Sequence, residues 1–145
     1  MPRVLITGMS GAGKSTLLGE LRRRGRLTVD TDYDGWTQSD GTWDEARMNA
    51  LLAASTNVII SGTADNQGRF YDRLDHVVLL SAPVETLIER VSTRPDNPYG
   101  RTAEQQAEIR GYVAEVEPLL RLSADIELDG RLPVTELADA VDALA

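Results

Sequence analysis

The stretch from residue 8 to residue 16 reads Gly-Met-Ser-Gly-Ala-Gly-Lys-Ser-Thr, and it constrains the fold more than any other part of the chain. A short apolar run at 4–6 precedes it, and leucines recur with helical spacing over 17–21. A strand, a glycine-rich turn and a helix are therefore predicted in succession. Lys14, within the turn, is the only lysine of the chain.

The spacing of this stretch, G-x-x-x-x-G-K-[ST], is the Walker A pattern, and its residue types suit a phosphate group. Glycines let the backbone turn tightly and point N–H groups at phosphate oxygens, and the following helix directs its positive end to the same anion. Lys14 is expected at the β- and γ-phosphates and the Ser15 hydroxyl at Mg²⁺. We therefore predict that ATP and Mg²⁺ bind at this phosphate loop, through Gly8, Ser10, Gly11, Ala12, Gly13, Lys14, Ser15 and Thr16.

Short apolar runs alternate with amphipathic stretches along the chain, which is typical of a parallel α/β sheet. The predicted strands are 4–6, 27–29, 57–61, 76–81 and 124–128, and a predicted helix follows all but the third. A helix from Trp43 to about Ala54 is predicted to begin at a Thr42 cap. Because 145 residues suffice for one core and no long linker divides them, we expect a single domain over 1–145.

The composition excludes several classes of function. The formal net charge of −8 argues against binding a nucleic acid polymer, which requires a basic surface. No apolar run reaches the ~20 residues that a membrane-spanning helix needs. There is no cysteine, so disulfides and thiolate metal sites are excluded. A cytoplasmic location is the expectation.

Two aspartates, Asp30 and Asp32, follow the second predicted strand. Ligands bind at the carboxyl ends of strands in an open parallel sheet, and residues two apart in an extended segment point to the same side. Beside a magnesium-bound triphosphate, one carboxylate can contact the metal's water shell while the other accepts a proton from an attacking hydroxyl. The alternative is that both aspartates form a turn or a helix cap.

The phosphate loop and the segment 29–32 together resemble shikimate kinase and its relatives among the nucleoside-monophosphate and gluconate kinases. The resemblance implies a three-layer P-loop fold with helices on both faces of a five-stranded parallel sheet of order 2-3-1-4-5. It implies a substrate-binding segment after the second strand, which we call the acceptor segment (about 31–56), and a short lid at about 93–102. It assigns Asp30 to the Mg²⁺ side and Asp32 to the acceptor hydroxyl, and it places Gly62 and Thr63 in a substrate loop.

Arginines flank the predicted lid, where kinases of this group use them to stack on adenine or to stabilise the transferring phosphoryl group. By position, Arg90 suits the adenine, whereas Arg94 and Arg101 suit the phosphates; Arg110 is a weaker candidate. The alternative is that these are surface arginines that pair with nearby carboxylates.

Two departures from the resemblance bear on the acceptor. Val116 and Glu117 stand where the family has an arginine for its substrate's carboxylate, and Arg47 is the only cation between the second and third strands. We therefore expect a neutral, hydroxyl-bearing acceptor. Trp36 is a candidate wall for it, or else part of the core.

These observations predict an ATP-dependent kinase that moves the γ-phosphoryl group to a hydroxyl of a small metabolite. The proposed catalytic residues are Lys14, Asp32 and Arg94. Two alternatives stay open: a nucleoside-monophosphate kinase, and a nucleotide-binding regulatory protein with little turnover.

Overall fold

A computed structural model describes residues 2–95 and 98–144. The structure has five strands: β1 Arg3–Thr7, β2 Thr28–Asp30, β3 Val58–Ser61, β4 His76–Ser81 and β5 Ile126–Asp129. They are parallel and form one sheet in the order β2-β3-β1-β4-β5, which confirms the predicted order. Most residues of the three central strands, β1, β3 and β4, are apolar and buried, as expected of parallel strands covered on both faces.

Helices connect the strands and lie on both faces of the sheet. The longest helix begins at a capping box, in which Thr102 accepts from the Gln105 backbone N–H and the Gln105 side chain accepts in return. A 3-10 helix, Gln67–Arg73, precedes β4. The α-helices are α1 Lys14–Arg23, α2 Glu45–Ala54, α3 Val84–Ser92, α4 Ala103–Ser123 and α5 Val134–Asp142.

Two hydrophobic cores lie on opposite faces of the sheet. One contains the leucines of α1 with Leu137 and Val141 of α5. The other contains Met48 and Leu52 of α2 with Phe70 of the 3-10 helix. The two cores hold the sheet between layers of helices, and this confirms the predicted three-layer α/β architecture.

Two local predictions are wrong. Helix α2 begins at Glu45 rather than Trp43, because the Asp44 side chain caps it by accepting from the Arg47 backbone N–H. The Thr42 hydroxyl instead donates to Asp40, and Trp43 pairs with Thr37 in an antiparallel bridge. The spacing of Tyr112 from Ile109 and Val113 predicts that its side chain lies on an apolar, buried stripe of α4, but Tyr112 is 59% exposed.

Among residues 2–95 and 98–144, no helix combines the length and the apolar character needed to cross a bilayer. The single-domain organisation over 1–145 stays a prediction.

Candidate active site

The phosphate loop connects β1 to α1 and takes its shape from glycines. Gly8 has a φ of +155°, and a Cβ at this position would lie 2.3 Å from the carbonyl oxygen of Leu80 in β4. Gly13 precedes the first turn of α1 in the left-handed region, with a φ of +102°. Both positions therefore favour glycine, and the loop lies directly on the carboxyl end of the sheet.

The ammonium group of Lys14 lies within the mouth of this loop. Its Nζ donates to the carbonyl oxygens of Gly8 at 2.5 Å and of Met9 at 3.1 Å. Burial lowers the pKa of Lys14 to about 8, although the carboxylates of Asp32 and Asp30 oppose this shift. The cation thus lies where it incurs a desolvation penalty that an anionic ligand would relieve.

Ser15 and Asp30 meet beside the loop. The Ser15 Oγ donates to Asp30 Oδ2 at 2.8 Å, and Asp30 Oδ1 accepts from the Asp32 backbone N–H at 3.1 Å. Ser61 of β3 is the register partner of Asp30, so the two side chains point to the same face of the sheet. The Ser61 Oγ is buried and has no hydrogen-bond partner among the described residues.

These oxygens fit a magnesium ion. Mg²⁺ takes oxygen ligands and commonly binds through one or two protein groups, phosphate oxygens and several waters. Ser15 and Asp30 would supply the protein groups, and the buried Ser61 hydroxyl lies on their side of the sheet. Within the described residues, no cluster of three or more histidines, aspartates and glutamates forms a closed metal cage.

A cavity of about 520 Å³ opens above the loop and brings most of the predicted site residues together. Burial raises the pKa of Asp32, and the nearby Lys14 ammonium opposes this shift. The described residues that line the cavity do not include Gly8 or Ala12, which are buried beneath it. The lining residues are Ser10, Gly11, Gly13, Lys14, Ser15, Thr16, Asp32, Tyr33, Arg90 and Arg94.

Arg90 joins the phosphate loop to the turn after β5. Its guanidinium donates to the carbonyl oxygens of Gly11 at 3.1 Å, of Ala12 at 3.2 Å and of Gly130 at 2.8 Å. A Cβ at Gly130 would lie 2.4 Å from the Ala12 carbonyl oxygen, so the turn and the loop are in close contact. No pattern in the sequence indicates this contact, because it joins residues 40 or more positions apart.

The lid arginines differ in their placement. Arg94 lines the cavity. Arg101 instead donates to the backbone carbonyls of Ser92 at 3.1 Å and of Arg94 at 2.6 Å, at the end of α3. Arg110 pairs with Glu85 on the surface. The structure therefore brings Arg94, and not Arg101 or Arg110, to the described lining of the cavity; lid residues 96 and 97 lie outside the described residues.

Three of the predicted acceptor-side residues, Trp36, Gly62 and Thr63, contact the protein itself. Trp36 is only 9% exposed, and the Arg47 guanidinium covers its ring at 4.1 Å from the centroid. A Cβ at Gly62 would lie 1.8 Å from the Thr31 Oγ1. The Thr63 hydroxyl binds the backbone of Gly8. The described lining of the cavity does not include Trp36, Gly62 or Thr63.

Comparisons with known proteins agree with this arrangement. The family described as "AAA domain" matches residues 4–111, which include the phosphate loop and both aspartates. The shikimate kinase of Pseudomonas fluorescens is 30% identical, over 100% of this chain and 97% of that protein. The chain belongs to the AAA domain and shikimate kinase families.

Solved structures show the same fold for this member of the shikimate kinase family. A shikimate kinase from Acinetobacter baumannii in complex with shikimate superposes with a TM-score of 0.74 at 22% identity, over 99% of this chain and 92% of that one. A sugar kinase from Janibacter sp. gives 0.64 at 20% identity, over 99% and 94%. Family membership and the geometry of the site together identify the protein as an ATP-dependent small-molecule kinase.

Proposed function

We propose that this kinase transfers the γ-phosphoryl group of ATP to a hydroxyl of a small, uncharged metabolite. The observation that carries the proposal is the shared cavity of Lys14, Asp32 and Arg94 above the phosphate loop. Phosphoryl transfer needs cations around the transferring group and a carboxylate at the attacking hydroxyl, and this cavity has both.

The phosphate loop would hold the triphosphate. Its backbone N–H groups and the N-terminus of α1 face the anion, and Lys14 binds the β- and γ-phosphate oxygens. Ser15 and Asp30 would hold Mg²⁺, which neutralises charge on those oxygens. Arg90 fixes the loop against the turn after β5, where the nucleotide base would lie.

Asp32 would orient the acceptor hydroxyl and accept its proton. It lies two residues beyond Asp30 and lines the same cavity as Lys14. Arg94 would stabilise charge on the equatorial oxygens of the transferring group. These three side chains, Asp32, Lys14 and Arg94, act on the acceptor, the phosphates and the transition state respectively, so their removal should affect different kinetic constants.

We infer an uncharged acceptor because the positions expected to bind a charged one either hold no cation or hold an arginine that already has partners within the protein. Arg47, the only cation of residues 31–57, covers Trp36 and donates to the Asp34 carbonyl oxygen. Val116 and Glu117 bring no cation from α4. A carboxylate or a second phosphate on the acceptor would therefore lack the arginine fork that such groups need.

A panel of acceptors tests this proposal. ADP release from Mg-ATP is measured with neutral sugars and cyclitols, with shikimate, with nucleoside monophosphates and with no acceptor. We expect a neutral polyhydroxyl compound to accelerate release, and the Asp32→Asn variant to abolish the acceleration. Acceleration by shikimate alone would contradict the neutral-acceptor assignment, and acceleration by monophosphates alone would favour a nucleoside-monophosphate kinase.

Tight ATP binding without turnover on any acceptor would instead favour the regulatory alternative. Its signature would be an ATP-dependent association with a protein partner. The cytoplasmic location inferred from the sequence stays a prediction.

A further inference from the structure

The Thr63 hydroxyl lies at the centre of a hydrogen-bond network beneath the phosphate loop. Its Oγ1 is 2.9 Å from the Thr7 Oγ1, accepts from the Gly8 backbone N–H at 3.2 Å and donates to the Gly8 carbonyl oxygen at 2.8 Å. Thr63 follows β3, whereas Gly8 follows β1. One side chain therefore connects the loop after β3 to both backbone groups of the first phosphate-loop residue.

Gln67 fixes the direction of these hydrogen bonds. Its side-chain oxygen accepts from the Ala64 backbone N–H at 2.9 Å, so its amide nitrogen faces the Tyr71 hydroxyl at 2.7 Å and Thr7 at 3.3 Å. Thr63 has one hydrogen, and its contact with the Gly8 carbonyl oxygen uses it, so Thr7 is the donor between the two threonines. The Gln67 oxygen, at 3.5 Å, is a more distant acceptor for Thr7 than Thr63 at 2.9 Å.

The Gly8 carbonyl oxygen consequently accepts two donors, the Thr63 hydroxyl and the Lys14 ammonium. When Lys14 turns to the phosphates of a nucleotide, it gives up this contact. A buried carbonyl left without a donor is unfavourable, and the Thr63 hydroxyl prevents that state.

We propose that Thr63 is a positioning residue for nucleotide binding: its hydroxyl keeps the Gly8 carbonyl oxygen paired, and so lets Lys14 leave it for the phosphates. This assignment replaces the predicted contact of Thr63 with the acceptor. It rests on the proposed function in one respect, because it requires that Lys14 bind the β- and γ-phosphates of ATP.

The test compares two substitutions of Thr63. Thr63→Val keeps the shape and removes the hydroxyl, and Thr63→Ser keeps the hydroxyl. Dissociation constants for Mg-ATP and for AMP are measured by competition with a fluorescent nucleotide. We expect Thr63→Val to weaken Mg-ATP binding about tenfold and AMP binding less than twofold, because AMP has no phosphate for Lys14 to reach. Thr63→Ser should stay within about twofold of the natural chain for both.

Each result decides one question. If the natural chain binds no Mg-ATP, the proposed function fails and the role of Thr63 fails with it. If the natural chain binds Mg-ATP and Thr63→Val does so equally well, only the positioning role is wrong. Equal losses for Mg-ATP and AMP would mean that Thr63 only maintains the shape of the loop, which also overturns the proposal. Should Thr63→Val fail to fold, Thr63→Ala, which adds no atoms, takes its place.

Discussion

The phosphate loop and the acceptor segment use their polar groups in opposite ways. In the phosphate loop, Ser10, Ser15 and Thr16 are exposed to the cavity. In the acceptor segment, polar groups bind the segment itself: the Thr37 hydroxyl donates to the Thr31 carbonyl oxygen at 2.7 Å, and the Arg47 guanidinium covers a tryptophan ring. The donors of the loop line the cavity even where they also bond within the protein, whereas Thr37 and Arg47 are not among the described residues that line it.

Because of this difference, we expect the protein to bind the triphosphate of the nucleotide strongly and the acceptor weakly. Backbone N–H groups and one ammonium suit a polyanion, and glycines hold them in place before the ligand arrives. On the acceptor side, the carboxylate of Asp32 is the one acidic group of the acceptor segment that lines the described cavity. We therefore expect the acceptor to be selected mainly through its hydroxyl and its shape.

Removing the ammonium group of Lys14 should have the largest effect on activity. We expect Lys14→Met to lower ATP-dependent turnover by at least about 10³-fold, because no other lysine exists to replace it. ADP release gives the rate, and equilibrium unfolding in urea shows that the fold persists. Arg23→Gln, which removes an exposed cation of the same helix, is the matched control; equal losses in both variants would contradict the role of Lys14.

Asp32→Asn should separate acceptor chemistry from nucleotide binding. We expect turnover to fall about 10²- to 10⁴-fold while the dissociation constant for Mg-ATP changes less than about threefold. Because burial raises the pKa of Asp32, the rate should decline with acidity at a higher pH than for an ordinary aspartate. A pH–rate profile checks this, and retention of full activity by Asp32→Asn would refute the assignment.

Gly8→Ala tests how tightly the loop lies on the sheet. The new Cβ would meet the Leu80 carbonyl oxygen, so we expect the free energy of unfolding to fall by about 2–4 kcal/mol. A Cβ added at Gly19 of α1 would have nothing within 4 Å, so Gly19→Ala should raise stability by up to about 1 kcal/mol. Chemical denaturation measures both, and similar effects at the two glycines would show that the loop is not confined.

The desolvated ammonium should also affect the pH dependence of stability. The pKa of Lys14 is about 8 in the folded chain, against 10.5 for an ordinary lysine. Between these values the unfolded chain holds a proton that the folded chain has lost, so the free energy of unfolding should rise with pH. We expect a gain of up to about 3 kcal/mol relative to Lys14→Met. Parallel curves for the two proteins would contradict the burial of this charge.

Arg47→Gln should have the smallest effect, because the cation serves the acceptor segment and not a ligand. We expect a loss of about 0.5–1 kcal/mol in stability from the lost contact with the Trp36 ring, and no change in Mg-ATP affinity. Thermal unfolding and nucleotide titration measure these. Turnover with a carboxylate-bearing acceptor that disappears in this variant would show that Arg47 binds substrate.

Much of the fold could be predicted because its signals are local. Apolar runs and the phosphate-loop spacing place the strands, and the capping box at Thr102 and Gln105 places the start of α4. A local signal of the same kind, the predicted cap at Thr42, places the start of α2 wrongly. There the burial of Trp43 and its bridge to Thr37 keep the chain extended, and Asp44 supplies the cap instead.

In the candidate site too, the sequence could predict some contacts and not others. Ser15 lies in the first turn of α1 and Asp30 ends β2, and both positions are at the carboxyl edge of the sheet, so the sequence could predict that they lie near each other. The network of Thr63 and the position of Arg101 depend on which backbone carbonyls lie nearby, and no pattern in the residues encodes those distances. Contacts between segments distant in sequence decide such roles.

Calorimetric titration of the folded chain with Mg-ATP tests directly whether the phosphate loop binds a nucleoside triphosphate. We expect one saturable binding event, weakened at least about tenfold in Lys14→Met and nearly unchanged in Asp32→Asn. If neither Mg-ATP nor Mg-GTP gives binding heat over a range of temperatures, the phosphate loop does not bind a nucleoside triphosphate and the kinase assignment is wrong.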